Sequence, residues 1–123
     1  DTDGGGIVYY VNYLKFMERA RTEFLRHLGF EHYLNAEEDF MFVVRGANVR
    51  YYQPARMDDA LTISAQIQSL GRASLVFKQE VRRGDTVLCS GDIDIACVKR
   101  SDFRPRALPE QLVNLLKTRY GKS

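Results

Sequence analysis

Apolar residues recur at spacings of three and four over residues 10–28, which is the pattern of a helix with one buried face. The residues on this face are Tyr13, Met17, Ala20, Phe24 and Leu28, with Leu14 and Leu25 beside them. Gly29 suits the C-terminal cap, and His27 complements the negative end of the helix dipole. The pattern therefore predicts one long helix that packs on the core.

Arg21 falls inside the apolar stripe of this helix. A cation there needs a partner or a route to solvent, because burying an unpaired charge is costly. We expect Arg21 to pair with a carboxylate such as Glu18, Asp58 or Asp59. An equally good interpretation is that its stem packs on the core while the guanidinium reaches solvent.

The period changes to two after residue 39, as in strands with one buried face. Strands are predicted over residues 40–52, 61–67, 75–81 and 86–99, with turns at 53–56, 70–72 and 83–85. Gly46 suggests a bulge, and Gly91 would let the long last strand curve. A basic link containing two prolines leads to a short helix over 110–120.

One long helix followed by an antiparallel meander predicts an α+β fold in which a curved sheet wraps the helix. The 123 residues fit one domain, 1–123, without repeats or linkers. Because alternation leaves one sheet face or edge free, a homo-oligomer is expected.

Composition narrows the functional classes. The chain is 45% hydrophobic and 28% charged, as in soluble globular proteins, and its longest apolar runs are far too short for a membrane span. A net charge of +2 is too weak to indicate nucleic acid. Cys89 and Cys97 would stand about 26 Å apart on one strand, too far to pair. Free thiols favour a cytoplasmic location.

The sequence lacks the residues that several common catalytic mechanisms require. The two histidines, His27 and His32, lie near the far end of the predicted helix, so a serine or cysteine nucleophile at its start would have no imidazole base. No zinc ligand set, Walker loop or EF-hand loop occurs, and we expect neither a metal nor an organic cofactor.

The first six residues place two carboxylates and three glycines before the helix. Glycines permit close approach of a substrate, and the first helical turn offers unpaired N–H groups at a positive dipole end. Asp3 could then attack an acyl carbonyl or activate water while amides near Tyr9 and Tyr10 polarise its oxygen. Alternatively, Asp1 and Asp3 only brace a glycine turn, and this segment alone favours that interpretation.

The chain resembles the hotdog-fold acyl-CoA thioesterases in the sequence DTDxGGIVY at residues 1–9, followed by NYLxF at 12–16 and ERARTE at 18–23. Further matches are FVVR at 42–45, YYxPARxDDxL at 51–61, SLVF at 74–77 and PRxLP at 105–109. The branch that it most resembles is that of the Tol-Pal-associated thioesterases, relatives of 4-hydroxybenzoyl-CoA thioesterase. The likeness spans nearly the whole chain.

This resemblance implies a hotdog fold, a long central helix wrapped by an antiparallel sheet, preceded by a first strand that we do not expect to find within residues 1–123. It implies that Asp3 is the catalytic carboxylate, as nucleophile or general base, with Gly6, Tyr9 and Tyr10 around the thioester carbonyl. Many Tol-Pal-associated members have histidine at the position of Tyr10. The hydroxybenzoyl branch has tyrosine there and uses its backbone N–H, so Tyr10 bears on the branch more than on the activity.

The resemblance also implies dimers or tetramers, built through edge pairing of sheets, with active sites between subunits. Arg100, Arg104 and Arg106 would contact the CoA phosphates, and Ser74 would lie near the partner's site. The alternatives are a solvated basic tail and an ordinary surface serine.

Hydrolysis of an acyl-CoA to the free acid and CoA is the first functional hypothesis, with acyl carrier protein as a further candidate partner. One alternative is a hotdog protein that binds acyl-CoA or acyl carrier protein without turnover. The other is a dehydratase, which the positions of His27 and His32 disfavour.

Overall fold

The computed structural model describes residues 7–8, 10–30, 39–56 and 58–120. Its elements are β1 (Ile7–Val8), α1 (Tyr10–His27), β2 (Phe40–Tyr51), β3 (Ala55–Arg56), β4 (Thr62–Ile63), β5 (Gln66–Leu70), β6 (Ser74–Arg83), β7 (Thr86–Lys99) and α2 (Glu110–Tyr120). The predicted α+β class, the long helix, the long strands and the C-terminal helix are confirmed. Neither described helix is long and apolar enough to cross a membrane.

The main sheet is antiparallel, with the strand order β2-β7-β6 and with β4 and β5 both paired to β6. The 14-residue strand β7 is central and pairs with β2 and β6 along nearly its whole length. The register between β2 and β7 shifts between Val44 and Gly46, which confirms the bulge predicted there. Among the described strands, β2 is therefore one long edge of the sheet.

Two predicted boundaries were wrong. The predicted strand over 61–67 is two short strands, β4 and β5. They are separated at Ser64, where the backbone N–H of Glu80 donates to the side-chain hydroxyl at 3.1 Å instead of to a backbone carbonyl of the ladder. The predicted turn at 53–56 contains β3, which pairs with β1 through Ile7↔Arg56 and Val8↔Ala55. Strands of two residues are too short to show a period of two.

Helix α1 packs against strands β4 and β6 of the sheet. The first half of α1 contributes Tyr13 and Met17 to a buried cluster. The other members of this cluster are Ala55, Val81, Leu88 and Cys89. Gly91 permits this close packing, since a Cβ there would lie 3.3 Å from Cγ2 of Val49 and 3.6 Å from Sδ of Met17. A second cluster, between the end of α1, the sheet and α2, includes Leu25, Phe77, Ile93, Leu112 and Leu116.

Both cysteines are free, as predicted, and both are buried. Burial raises the pKa of the Cys89 thiol to about 11 and also raises the pKa of Cys97. Both side chains are therefore neutral core residues at physiological pH.

Candidate active site

The start of α1 is where the sequence predicts catalysis. Asp3, Gly6 and Tyr9 lie outside the described residues, and Tyr10 is described as the first residue of α1. Strand β1 ends at Val8, just before the helix begins, and is held by its pairing with β3. The first amides of a helix have no intrahelical acceptor, so this entry presents N–H donors at the positive end of the dipole.

Tyr13 anchors the first turn of α1 to the segment that follows β2. Its buried hydroxyl donates to the backbone oxygen of Gln53 at 3.0 Å, and its ring stacks on that of Tyr51 with a centroid distance of 6.3 Å. Burial raises the pKa of Tyr13, so the phenol is neutral and serves as a donor. The helix start therefore lies beside the Tyr51 end of β2.

A charged network holds the segment that carries β3. The Oδ2 atom of Asp59 accepts from the backbone N–H of Arg56 at 2.8 Å and from Nη1 of Arg83 at 3.0 Å. Arg83 also donates through Nη2 to Oε1 of Gln53 at 3.3 Å. The Arg56 N–H, and then Arg83, hold the pKa of Asp59 below its usual value. Asp59 thus pairs with Arg83, and not with Arg21.

The partner of Arg21 is an amide, so the predicted pairing with a carboxylate was wrong. Nη1 of Arg21 donates to Oε1 of Gln79 at 2.8 Å. Gln79 is 0% exposed, and its Nε2 donates to the backbone oxygens of Met17 at 2.9 Å and Ser64 at 3.3 Å. Burial lowers the pKa of Arg21, an effect that the charge of Glu18 opposes. All the amide hydrogen-bonding atoms of Gln79 are therefore used.

Sequence reasoning missed Gln79. The signal was present, since Leu75, Phe77 and Val81 mark the buried face of one strand and residue 79 continues that alternation with a polar side chain. A polar residue at a core position of a strand needs a partner. The arginine inside the stripe of the neighbouring helix supplies that partner.

A cavity of about 200 Å³ lies between α1, the sheet and α2. Its walls are largely apolar and include Phe24, Phe42, Phe77, Ile95, Leu112 and Leu116, whereas Glu18, Arg21 and Thr22 line it from α1. It also borders Val44, which is 53% exposed at the outer edge of β2. Arg21 is about 16 Å along α1 from Tyr10 at 1.5 Å per residue, so the cavity is remote from the helix start of the same chain.

The predicted phosphate-binding arginines lie around the Phe40 end of β2. Nη2 of Arg100 donates to the backbone oxygen of Phe40 at 3.0 Å. The guanidinium of Arg106 lies 4.3 Å from the ring centroid of Phe40, and its Nη2 is 3.8 Å from Oδ1 of Asp39. These two cations are thus fixed against the end of the strand.

Arg104 is more accessible than its neighbours. Its side chain is 82% exposed, with Nε 3.7 Å from Oδ2 of Asp102. Ser74, at the start of β6, is half-buried, and its backbone oxygen accepts from Gly71 at 2.7 Å in the turn after β5. Its pairing with Ala96, which also pairs with Val43, places it towards the same end of the sheet.

The described site residues therefore fall into two separate groups. Strand β2 has 12 residues, about 36 Å at 3.3 Å per residue, with the arginines at one end and the start of α1 at the other. Within one chain the structure does not bring them together. Among the described residues, no three His, Cys, Asp or Glu side chains are grouped as a metal site would require.

Comparisons with known proteins agree with this architecture. Residues 5–90 match the family model of the thioesterase superfamily. The acyl-CoA thioester hydrolase YbgC of Escherichia coli O6:H1 is 45% identical over 114 residues, which cover 92% of this chain and 85% of that relative. The acyl-CoA thioesterase YbgC of Haemophilus influenzae is 36% identical over 113 residues, covering 91% and 83%.

A solved structure is similar in both sequence and fold. A probable thioesterase from Bartonella henselae superposes with a TM-score of 0.75 at 38% identity, covering 89% of each chain. Since the family match spans most of the chain and the helix lies on the sheet in the expected order, this chain belongs to the thioesterase superfamily and has the hotdog fold.

Proposed function

We propose that this thioester hydrolase cleaves an acyl-CoA into the free acid and CoA at the start of α1, with Asp3 as nucleophile or general base. The observation that carries the proposal is the strand-to-helix entry, in which β1 is held by β3 and α1 begins directly afterwards. N–H groups at that entry can donate to the thioester oxygen as negative charge develops on it. In the sequence Asp3 lies a few residues before β1, and both precede the start of α1.

The reaction needs only these groups. If Asp3 is the base, it takes a proton from water, the resulting hydroxide attacks the carbonyl carbon, and the C–S bond breaks as the CoA thiolate leaves. If Asp3 is the nucleophile, its oxygen attacks the carbonyl carbon, the C–S bond breaks as the CoA thiolate leaves, and water then hydrolyses the resulting mixed anhydride. In both cases the amides near Tyr9 and Tyr10, rather than an imidazole, stabilise the oxyanion.

A homodimer would complete the site. In the described part of the chain no strand covers the outer edge of β2, where Val44 and Tyr51 are exposed. Pairing of this edge with its symmetry mate is antiparallel, so the Phe40 end of one β2 meets the Tyr51 end of the other. The arginines of one subunit then approach the helix start of its partner, which explains why they are far apart in one chain.

In this arrangement the arginines bind the phosphates of CoA. Arg104 is the best placed to do so, because it is largely exposed and its contact with Asp102 is long. Arg100 and Arg106, held against Phe40, would add charge around it. The half-buried Ser74, towards the same end of the sheet, would contribute a hydroxyl near the partner's site.

The cavity beside Val44 is remote from the helix start of its own chain, so it is our candidate for the acyl group of a thioester cleaved at the partner's helix start. It is somewhat larger than an apolar cavity of about 150 Å³ that holds benzene, so it suits a short chain or a single ring. We further propose membership of the Tol-Pal-associated branch, from the motifs around Asp3, and a cytoplasmic location, from the two free thiols. An acyl carrier protein is a second candidate carrier of the substrate.

A substrate panel tests the proposal. The parent protein, Asp3→Ala, Asp3→Asn and the control Asp85→Asn, an exposed hairpin carboxylate, are assayed for thiol release from short, long and aromatic acyl-CoAs. We expect the parent and the control to be active, and both Asp3 variants to lose about 100-fold or more in kcat. Undiminished turnover by the Asp3 variants would exclude the role of Asp3. Tight binding without turnover by the parent would support the binding alternative.

A further inference from the structure

We propose that Asp59 is a positioning residue for the hydrolysis. It holds both strand β1 and the first turn of α1, and the catalytic segment enters the helix between these two elements. The inference rests on the proposed function, because the segment that it positions contains Asp3 and the amides near Tyr9. Asp59 itself would touch neither the substrate nor the reacting atoms.

The first link runs from Asp59 to β1. Its Oδ2 accepts the N–H of Arg56 at 2.8 Å, and its own N–H donates to the backbone oxygen of Arg56 at 3.0 Å. These two bonds close the turn that follows β3. Arg56 pairs in register with Ile7, the first residue of β1. The conformation of the turn therefore determines where β1 lies.

The second link runs from Asp59 to the first turn of α1. Arg83 donates to Asp59 at 3.0 Å and to Oε1 of Gln53 at 3.3 Å, while the backbone oxygen of Gln53 accepts from Tyr13 at 3.0 Å. The link to β1 and the link to the first turn of α1 thus both start from the Asp59–Arg83 pair. This pair is partly buried, with side chains 18% and 38% exposed. Its charges are therefore less screened than those of a surface pair.

Neutralising Asp59 should misplace the helix entry without removing a substrate contact. A displacement of about 1 Å at a reacting group can cost about 100-fold in rate. We expect kcat of Asp59→Asn to fall by about 10-fold or more, with KM within about 2-fold, because the proposed phosphate-binding arginines are untouched. Asp59→Glu, which keeps the charge, should recover part of the loss.

Glu80 offers a matched control. Its pair with Arg82 on β6 has a distance of 2.8 Å and side chains 26% and 41% exposed, close to the values for Asp59 and Arg83. Glu80→Gln therefore removes a similar charge pair that has no described bond to β1, β3 or α1. Its kcat and KM should equal those of the parent.

Hydrogen exchange supplies a readout that does not depend on activity. In Asp59→Asn the amides of residues 7–13 and 56 should exchange faster than in the parent, whereas those at the centre of β7 should not change. In Glu80→Gln both sets should match the parent. Thermal unfolding of each variant identifies one that fails to fold, in which case Asp59→Glu supplies the comparison.

The outcomes separate the two proposals. If the parent hydrolyses no thioester, the proposed function fails, and exchange at residues 7–13 alone decides whether Asp59 positions the entry. If the parent is active but Asp59→Asn keeps its kcat, or loses only in KM, the positioning role is wrong. Unchanged exchange at residues 7–13 would overturn it as well.

Discussion

Replacing Gln79 with leucine removes the polar connection between α1 and the sheet. Leucine has a similar volume, so the change mainly deletes the three hydrogen bonds that Gln79 makes with Arg21, Met17 and Ser64. The backbone oxygen of Met17 keeps its bond within the helix, but the Arg21 guanidinium loses the acceptor at 2.8 Å. The partly buried cation is then left without its amide partner.

The expected magnitude follows from the kinds of bond that are lost. A hydrogen bond to a charged group contributes about 1.5–3 kcal/mol and a neutral one about 1 kcal/mol. Burial of the added apolar surface offsets part of this loss. We therefore expect Gln79→Leu to lower the free energy of unfolding by about 2–4 kcal/mol.

A double-mutant cycle tests whether the loss comes from the pair. Arg21→Met alone leaves Oε1 of the buried Gln79 without its donor, which costs about 1–3 kcal/mol. Replacing both partners by apolar residues removes both unsatisfied groups, so Arg21→Met with Gln79→Leu should be less destabilised than the sum of the single variants. Equilibrium urea unfolding at one protein concentration measures all four corners.

The control for this cycle is Gln66→Leu, at an exposed position of β5. It should change the free energy of unfolding by less than about 0.5 kcal/mol. Our assignment of Gln79 is refuted if Gln79→Leu behaves like that control. Strict additivity of the two single variants would equally show that Arg21 and Gln79 are not coupled.

Three further predictions concern charge and reactivity. Asp59 has a lowered pKa in the folded state, so its contribution to stability is present above the unfolded value of about 3.9 and is lost as the pH falls through the folded value. Acid titration of unfolding should therefore show the difference between the parent and Asp59→Asn shrinking as the pH falls below about 4. Arg104→Ala should raise KM for acyl-CoA and leave kcat unchanged, and added salt should reduce this rise in KM. The control Arg72→Ala, also at an exposed arginine, should leave KM unchanged. A thiol-modifying dye should leave Cys89 and Cys97 unmodified until denaturant is added, because both are buried with raised pKa values.

The long elements could be predicted from the sequence because their periods extend over many residues. The predicted helix 10–28 corresponds to Tyr10–His27, and the predicted last strand to Thr86–Lys99. Strands β1 and β3 could not be predicted, since two residues show no period and their pairing joins distant parts of the chain. The pairing of Arg21 failed for a related reason. Its partner depends on which residue of the neighbouring strand lies beneath the helix.

The candidate site shows a different limit of sequence reasoning. The resemblance predicts that Asp3 and the arginines belong to one site, yet a motif gives no distance between its parts. In the described fold the arginines lie at one end of β2, a strand of 12 residues or about 36 Å when extended, and the helix start lies beside the other end. If both groups act on one acyl-CoA, a second copy of the chain must bring them together. The exposed antiparallel edge of β2 is the element whose symmetry would do so, because pairing it with itself reverses its direction. Catalysis would then depend on assembly as well as on folding.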